Sequence, residues 1–163
     1  MVVMDTNFGQ ITVKLTDNTP VTTKNFLYYV HSGFYDNTIF HRVIHGFMIQ
    51  GGGLLSNLEE KPHPLPPIPN EGDHCLANTR GVMAMARTSD PHSATSQFFI
   101  NVVDNPFLNF QSKTLQGWGY CGFGEVIDGM AVVDAIASVE TGTQQVYENV
   151  PRTAVILRSA RVR

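Results

Sequence analysis

The sequence is poor in cysteine, in charge and in long apolar runs. Only two cysteines, Cys75 and Cys121, occur in 163 residues. They have no Cys-x-x-Cys or metal-type spacing, so neither a zinc module nor a redox motif is indicated. With no export signal a disulfide is disfavoured, and both read as small buried hydrophobes. Charged residues make up 15% of the chain, and 11 Lys+Arg against 14 Asp+Glu leave a net charge of −3. That charge is too low for a disordered chain, and it gives a polyanion no reason to bind, so no nucleic-acid partner is expected. No window approaches the ~18–20 apolar residues of a membrane span, so no membrane partner is expected either. Met1-Val2-Val3-Met4-Asp5 lacks the basic region, apolar run and cleavage site of a signal peptide. A leader is therefore expected to be absent or already removed, and the expected location is the cytoplasm.

What is present is a globular composition, 42% hydrophobic. No repeat or linker divides the chain, so residues 1–163 are expected to form one domain with a substantial core, acting as a monomer. Gln10 to Leu15 alternates, with Ile11, Val13 and Leu15 on one face of a strand. Residues 2–5 suit its antiparallel partner, joined through Asn7-Phe8-Gly9. Thr38–Ile44, Phe47–Gln50, Val82–Ala86, Gln97–Val102, Tyr120–Val126 and Ala154–Val162 complete eight expected strands, enough to close a small barrel.

Two segments change period. Thr19 is placed to cap a helix, Pro20 to open it and Gly33 to stop it, with Phe26, Leu27 and Val30 as its apolar stripe. A second helix is expected from Asp128, as N-cap, to about Ser138, burying Met130, Val133, Ile136 and Ala137. Residues 51–80 open on Gly51-Gly52-Gly53 and carry Pro62, Pro64, Pro66, Pro67 and Pro69. That density excludes a helix interior or central strand and predicts a long wrapping loop, stiffened by its prolines.

Chemistry concentrates in Phe40-His41-Arg42-Val43-Ile44-His45-Gly46-Phe47-Met48-Ile49-Gln50-Gly51-Gly52. On a continuous strand Phe40, Arg42 and Ile44 share a face, setting a guanidinium between two apolar groups. The arginine stem can simply lie on apolar surface with its head in water, or the cation can form the floor of an apolar groove. Gln97 and Phe99 share a face, as do Met48 and Gln50. Glutamines facing one another could bind a peptide backbone or hold the arginine; they could equally be solvated barrel exterior.

These residues carry a resemblance. Phe40–Gly52 resembles the cyclophilin signature. Gly81-Val82-Met83-Ala84-Met85-Ala86-Arg87 and Ser96-Gln97-Phe98-Phe99-Ile100 are similar to two further segments of that family, in its order and spacing. Asn101-Val102-Val103-Asp104-Asn105, Phe107-Leu108-Asn109 and Gln116-Gly117-Trp118-Gly119-Tyr120-Cys121 resemble its bacterial cytoplasmic branch. The resemblance covers essentially the whole chain. It implies a mainly β fold, a closed eight-stranded antiparallel barrel capped by two α-helices. It implies peptidyl-prolyl cis–trans isomerase activity that assists folding, with no cofactor and no covalent intermediate. The implied partners are Xaa-Pro peptides and unfolded proteins. Carried over by position, Phe47, Met48, Phe99 and Leu108 would form the proline pocket, and Gln50 would orient the catalytic Arg42. Gln97, Ala86 and the backbone at Arg87 would line the groove for residues before proline, with His41 at its edge. Phe107 and Tyr120 stand where better-known members have tryptophan and histidine. Phenylalanine keeps an apolar wall but loses the indole N–H that the inhibitor cyclosporin uses, so weak cyclosporin binding is expected.

Four other readings compete with this one. A proline-peptide binding module without turnover would share the pocket but needs no buried cation. A Ser–His–Asp hydrolase could draw on Asp90-Pro91-His92-Ser93, yet no Gly-x-Ser-x-Gly elbow accompanies it. Among six histidines only His41 and His45 have the spacing of a zinc helix, and they fall in a strand–turn region, so no metal is expected. Cys75 and Cys121 as a redox pair lack a basic setting.

Overall fold

The computed structural model describes residues 1–163 and contains eleven strands and two α-helices. Val2–Thr6 (β1) and Gly9–Leu15 (β2) form the first hairpin, followed by helix α1, Pro20–His31. Then come β3 (Thr38–Ile39), β4 (Arg42–Ile44), β5 (Met48–Gly51), β6 (Val82–Met85), β7 (Phe98–Asn101) and β8 (Gly122–Asp128). Helix α2 (Met130–Ala137), the hairpin β9 (Thr141–Gln144) and β10 (Tyr147–Pro151), and β11 (Ile156–Val162) complete the chain. Nine strands form one strongly curled antiparallel sheet in the order β3-β11-β1-β2-β8-β6-β7-β5-β4. Its edge strands, β3 and β4, are consecutive pieces of Thr38–Ile44, expected as one strand, so the chain itself joins the two ends of the curl.

The interruption at Phe40-His41 corrects one expectation. The segment leaves β11 at Ile39 and joins β5 at Arg42, so the pleat is not continuous. Phe40 turns into the core, 1% exposed and edge-on to Phe98, while Arg42 faces outward. The two do not share a face. The β9–β10 hairpin was also not expected from the sequence; its turn uses Gln145 at φ 53°, a left-handed conformation with no Gly or Asn to announce it.

Inside the curl, alternate strand residues supply the core: Met4, Ile11, Val13, Met83, Phe98, Ile100 and Phe123 are all fully buried. Helix α1 lays Phe26, Tyr29 and Val30 on one end and α2 lays Val133, Ile136 and Ala137 near β2. The expected stop at Gly33 is a Schellman turn: φ is +74°, Gly33 N–H reaches Val30 O and Phe34 N–H reaches Tyr29 O. The expected start is different. Thr19 makes no side-chain cap; the buried Glu71 carboxylate instead accepts the N–H groups of Val21 and Thr22 at 3.4 and 2.7 Å. Helix α2 is capped at Gly129 (φ 91°), because Asp128 is still the last residue of β8. Residues 52–80 are mostly irregular, as their prolines required, but are pinned by isolated bridges Leu54↔Glu60, Ile68↔Ala94 and Leu76↔Gly122. Both cysteines are free thiols; Cys121 is buried and Cys75 half-buried. No helix is long and apolar enough to cross a membrane.

Candidate functional site

The outer face of β4, β5, β7 and β6 carries the site. Strand register sets Arg42 opposite Gln50, Gln50 opposite Phe99, and Phe99 opposite Ala84. Directly paired residues share a face, so one row runs across four strands. A small apolar cluster sits on this row, separate from the main core: Met48, Ala84, Ala86 and Phe99, with Phe47, Leu108 and Tyr120 packed against it.

The surface there sinks into a cavity of about 270 Å³. Phe47, Met48, Phe99, Leu108 and Tyr120 form its apolar wall, with Ala86 between them. Arg42, Gln50 and Arg87 contribute the polar part. The two guanidinium groups are in different states. Arg87 is spent: its Nε and Nη2 donate to Gly119 O, its Nη1 to Thr88 O, and it lies 4.3 Å over the Tyr120 ring. Arg42 is exposed, takes part in none of the six ion pairs, and makes one long hydrogen bond, Nη1 to Gln50 Oε1 at 3.4 Å. Gln50 in turn donates from Nε2 to Gln97 Oε1 at 3.0 Å. The facing glutamines therefore hold the arginine from one side and leave its remaining donors free at the cavity mouth.

Two glycines allow this. Gly52 sits at φ +89°, and a Cβ there would lie 2.7 Å from the Phe98 ring. A Cβ on Gly53 would lie 2.5 Å from Gln97 Cγ, so any side chain would displace the glutamine. The glycine run after β5 is thus a close approach of backbone to the site.

Of the twelve residues singled out from the sequence, nine line this cavity. Gln97 does not; it lines an adjoining, more polar cavity of about 370 Å³ that shares Gln50, Ala86 and Arg87 with the first. Phe107 is 66% exposed and lies outside, stacked at 5.8 Å and 23° on Phe47. It backs the wall instead of forming it. His41 is not at the groove's edge. It is 5% exposed, its ring lies edge-on to Tyr147, and its Nδ1 has no hydrogen-bond partner. Burial, with the Arg42 charge adding to it, brings its pKa down to about 4.

Other sequence candidates disperse. Ser93 Oγ donates to the backbone carbonyl of Asp90 and not to His92, whose Nδ1 accepts the Asn70 N–H. No nucleophile–base pair exists there. His45 turns the other way from His41, its Nδ1 3.2 Å from the Ala137 carbonyl at the end of α2. Trp118 anchors its loop against His92 and Phe110.

Residues 1–162 match the family described as cyclophilin type peptidyl-prolyl cis-trans isomerase/CLD. The chain is 57% identical over 163 residues to peptidyl-prolyl cis-trans isomerase B of Escherichia coli (strain K12), covering 99% of both chains. It is 49% identical to peptidyl-prolyl cis-trans isomerase A of Dickeya dadantii (strain 3937), covering 99% of this chain and 83% of that one. A crystal structure of a Cryptosporidium parvum cyclophilin-type isomerase, determined in the presence of the dipeptide Ala-Pro, superposes with a TM-score of 0.79. It is 28% identical and covers 99% of this chain and 98% of that one.

Proposed function

The chain belongs to the cyclophilin-type peptidyl-prolyl cis–trans isomerases, and on that premise we propose that Arg42 lowers the rotation barrier of a prolyl amide held in the apolar cavity. The amide C–N bond resists rotation because it is partly double, with a barrier of roughly 20 kcal/mol. At the twisted midpoint that conjugation is lost and the proline nitrogen regains a lone pair. A catalyst need only bind this state better than the planar ones. Phe47, Met48, Phe99 and Leu108 hold the proline ring. Arg42 donates toward the ring nitrogen as its lone pair develops, with a further donor for the prolyl carbonyl. Gln50, itself held by Gln97, keeps the guanidinium aimed. The apolar surroundings favour the twisted amide, which separates less charge. Gln97, Ala86 and the Arg87 backbone line the neighbouring cavity for residues that precede proline.

The scale is sufficient. Raising a rate of about 0.01 per second to about 10–1,000 per second takes roughly 4–7 kcal/mol. One preorganised donor in a water-poor site contributes about 2.7–4 kcal/mol, and desolvation and ring clamping supply the rest.

The carrying observation is the uncommitted Arg42 guanidinium at the mouth of an apolar slot. Two-dimensional exchange NMR on a short Xaa-Pro peptide, with catalytic amounts of protein, tests it: cis and trans signals must exchange, and most of that exchange must be lost with Arg42→Ala. The proposal extends to unfolded chains as substrates, since an open groove accepts any accessible Xaa-Pro bond. It treats residues 1–163 as one catalytic domain working as a monomer. A cytoplasmic setting is supported by the two free thiols.

A further inference from the structure

Beneath the apolar wall lies a second polar assembly that the reaction does not touch directly. Asn78, Asn101 and Asn105 are 1%, 0% and 3% exposed. Every N–H of their side-chain amides is donated. Asn101 Nδ2 gives to Asn78 Oδ1 and Val82 O, both at 3.0 Å. Asn105 Nδ2 gives to Asn101 Oδ1 at 2.8 Å and to Phe47 O at 3.0 Å. Asn78 Nδ2 gives to Leu108 O at 3.2 Å and Tyr120 O at 3.0 Å.

The acceptors matter more than the donors. Phe47, Leu108 and Tyr120 all line the cavity, come from three separate segments, and lie outside the strands. One backbone bond, Tyr120 N–H to Leu108 O at 2.9 Å, ties two of them together, and no strand ladder ties either to Phe47. Asn101 stands on the same outward face as Phe99, opposite the cavity-lining Met48, so the assembly begins beside the cavity and reaches each wall segment from there. The Asn105 backbone N–H also closes on Asn78 O at 2.8 Å. A network so fully satisfied holds one geometry, since breaking any member strands a buried amide.

The geometry points to Asn78, Asn101 and Asn105 as positioning residues that set the spacing of the cavity walls and hence the grip on the proline ring. They act on Phe47, Leu108 and Tyr120 and share no hydrogen bond with the Arg42–Gln50–Gln97 line. Loosening them weakens binding of the ring while leaving rotation of bound peptide nearly untouched. The inference rests on the ring-pocket reading above, and its test separates the two.

Peptide affinity and the cis–trans interconversion rate of bound peptide are measured by NMR titration and line-shape analysis. The probe is a short blocked Ala-Pro peptide, tested on wild type, Asn78→Ala, Asn105→Ala and Phe99→Ala. The asparagine variants are expected to raise Kd roughly tenfold. The bound-state rate is expected to stay within about twofold of wild type. A folded asparagine variant with unchanged Kd overturns the inference, as does one that loses bound-state rate. If Phe99→Ala leaves Kd unchanged, the ring-pocket reading itself fails; if only Phe99→Ala weakens binding, the network inference alone fails. Wild type decides the matter if the asparagine variants do not fold. The side-chain amide protons of Asn78 and Asn105 must then exchange slowly with solvent and shift when peptide saturates the cavity, and signals that stay in place overturn the assignment.

Discussion

Arg42 and Gln50 face each other directly across the β4–β5 ladder, and Gln50 Oε1 is the only acceptor within hydrogen-bond reach of the Arg42 guanidinium. A cation with one weak partner keeps its other donors for substrate, at the cost of being poorly held. The second glutamine, Gln97, offsets that cost by fixing Gln50 at 3.0 Å.

This arrangement orders the expected losses. Arg42→Ala removes the donor itself and should lower the isomerisation rate by about 10²–10³-fold. Its stability should change little, because Arg42 is exposed and forms no ion pair. Gln50→Ala leaves the donor but frees its orientation, and the loss should be smaller, about tenfold. Exchange NMR on one Xaa-Pro peptide, with far-ultraviolet circular dichroism as a fold check, reads both. A folded Arg42→Ala protein with wild-type rate would remove the mechanism.

Phe107 lies outside the cavity yet stacks on Phe47, which lines it. A larger ring can keep that stack and add an N–H donor at the exposed rim. Phe107→Trp should therefore tighten cyclosporin binding, by about tenfold for one added hydrogen bond, with little change in isomerisation. Fluorescence titration measures it. An affinity equal to wild type would mean that position 107 does not face the inhibitor.

Most of the barrel was legible from alternation, because a strand with one buried face writes its period into the sequence. Ile11 and Val13 are both fully buried, as that pattern required. The candidate site was legible for a second reason: Arg42, Gln50 and Phe99, which the register carries onto one face, each lie in a motif that resembles the family's. What stayed hidden depends on distant pairings. His41 looked like part of the groove because its neighbour is. The break at Phe40-His41, where the segment changes partner, turns its ring inward to Tyr147 of a hairpin that the sequence did not announce. Glu71 was invisible as a helix cap because it lies 49 residues from the amide it holds. The asparagine network was legible only as residue types, since its partners span four segments.

Glu71 is open to a direct stability test. Its carboxylate accepts the Val21 N–H, the Thr22 N–H and the Thr22 hydroxyl, the last two at 2.7 Å, and it is 6% exposed. Removing it strands the first turn of α1 in a buried setting. Glu71→Ala should cost about 1–3 kcal/mol, with Glu71→Gln costing less because one acceptor oxygen remains. Urea unfolding should show a lower midpoint at unchanged slope. An unaltered midpoint in Glu71→Ala would show that water or Thr19 can take over the cap.

His41 makes stability depend on pH in a defined window. Its folded-state pKa is brought down to about 4, chiefly by burial, against an unfolded value near 6.5. Between those values the unfolded chain binds the proton and the folded one does not. Stability must then fall as pH drops from about 6.5 toward 4 and level off below, the full effect being about 3 kcal/mol. The carboxylates held low by arginine, Asp36 and Asp134, work in the same sense but only at more acid pH, since their folded values lie below 3.8. His41→Phe keeps a ring against Tyr147 and removes the titration. Urea unfolding across pH 4–8 should show the gap between wild type and His41→Phe constant above about 6.5 and growing in favour of the variant below it. Parallel curves through the whole range would mean that the ring is hydrated, or paired through its Nδ1, in the folded protein.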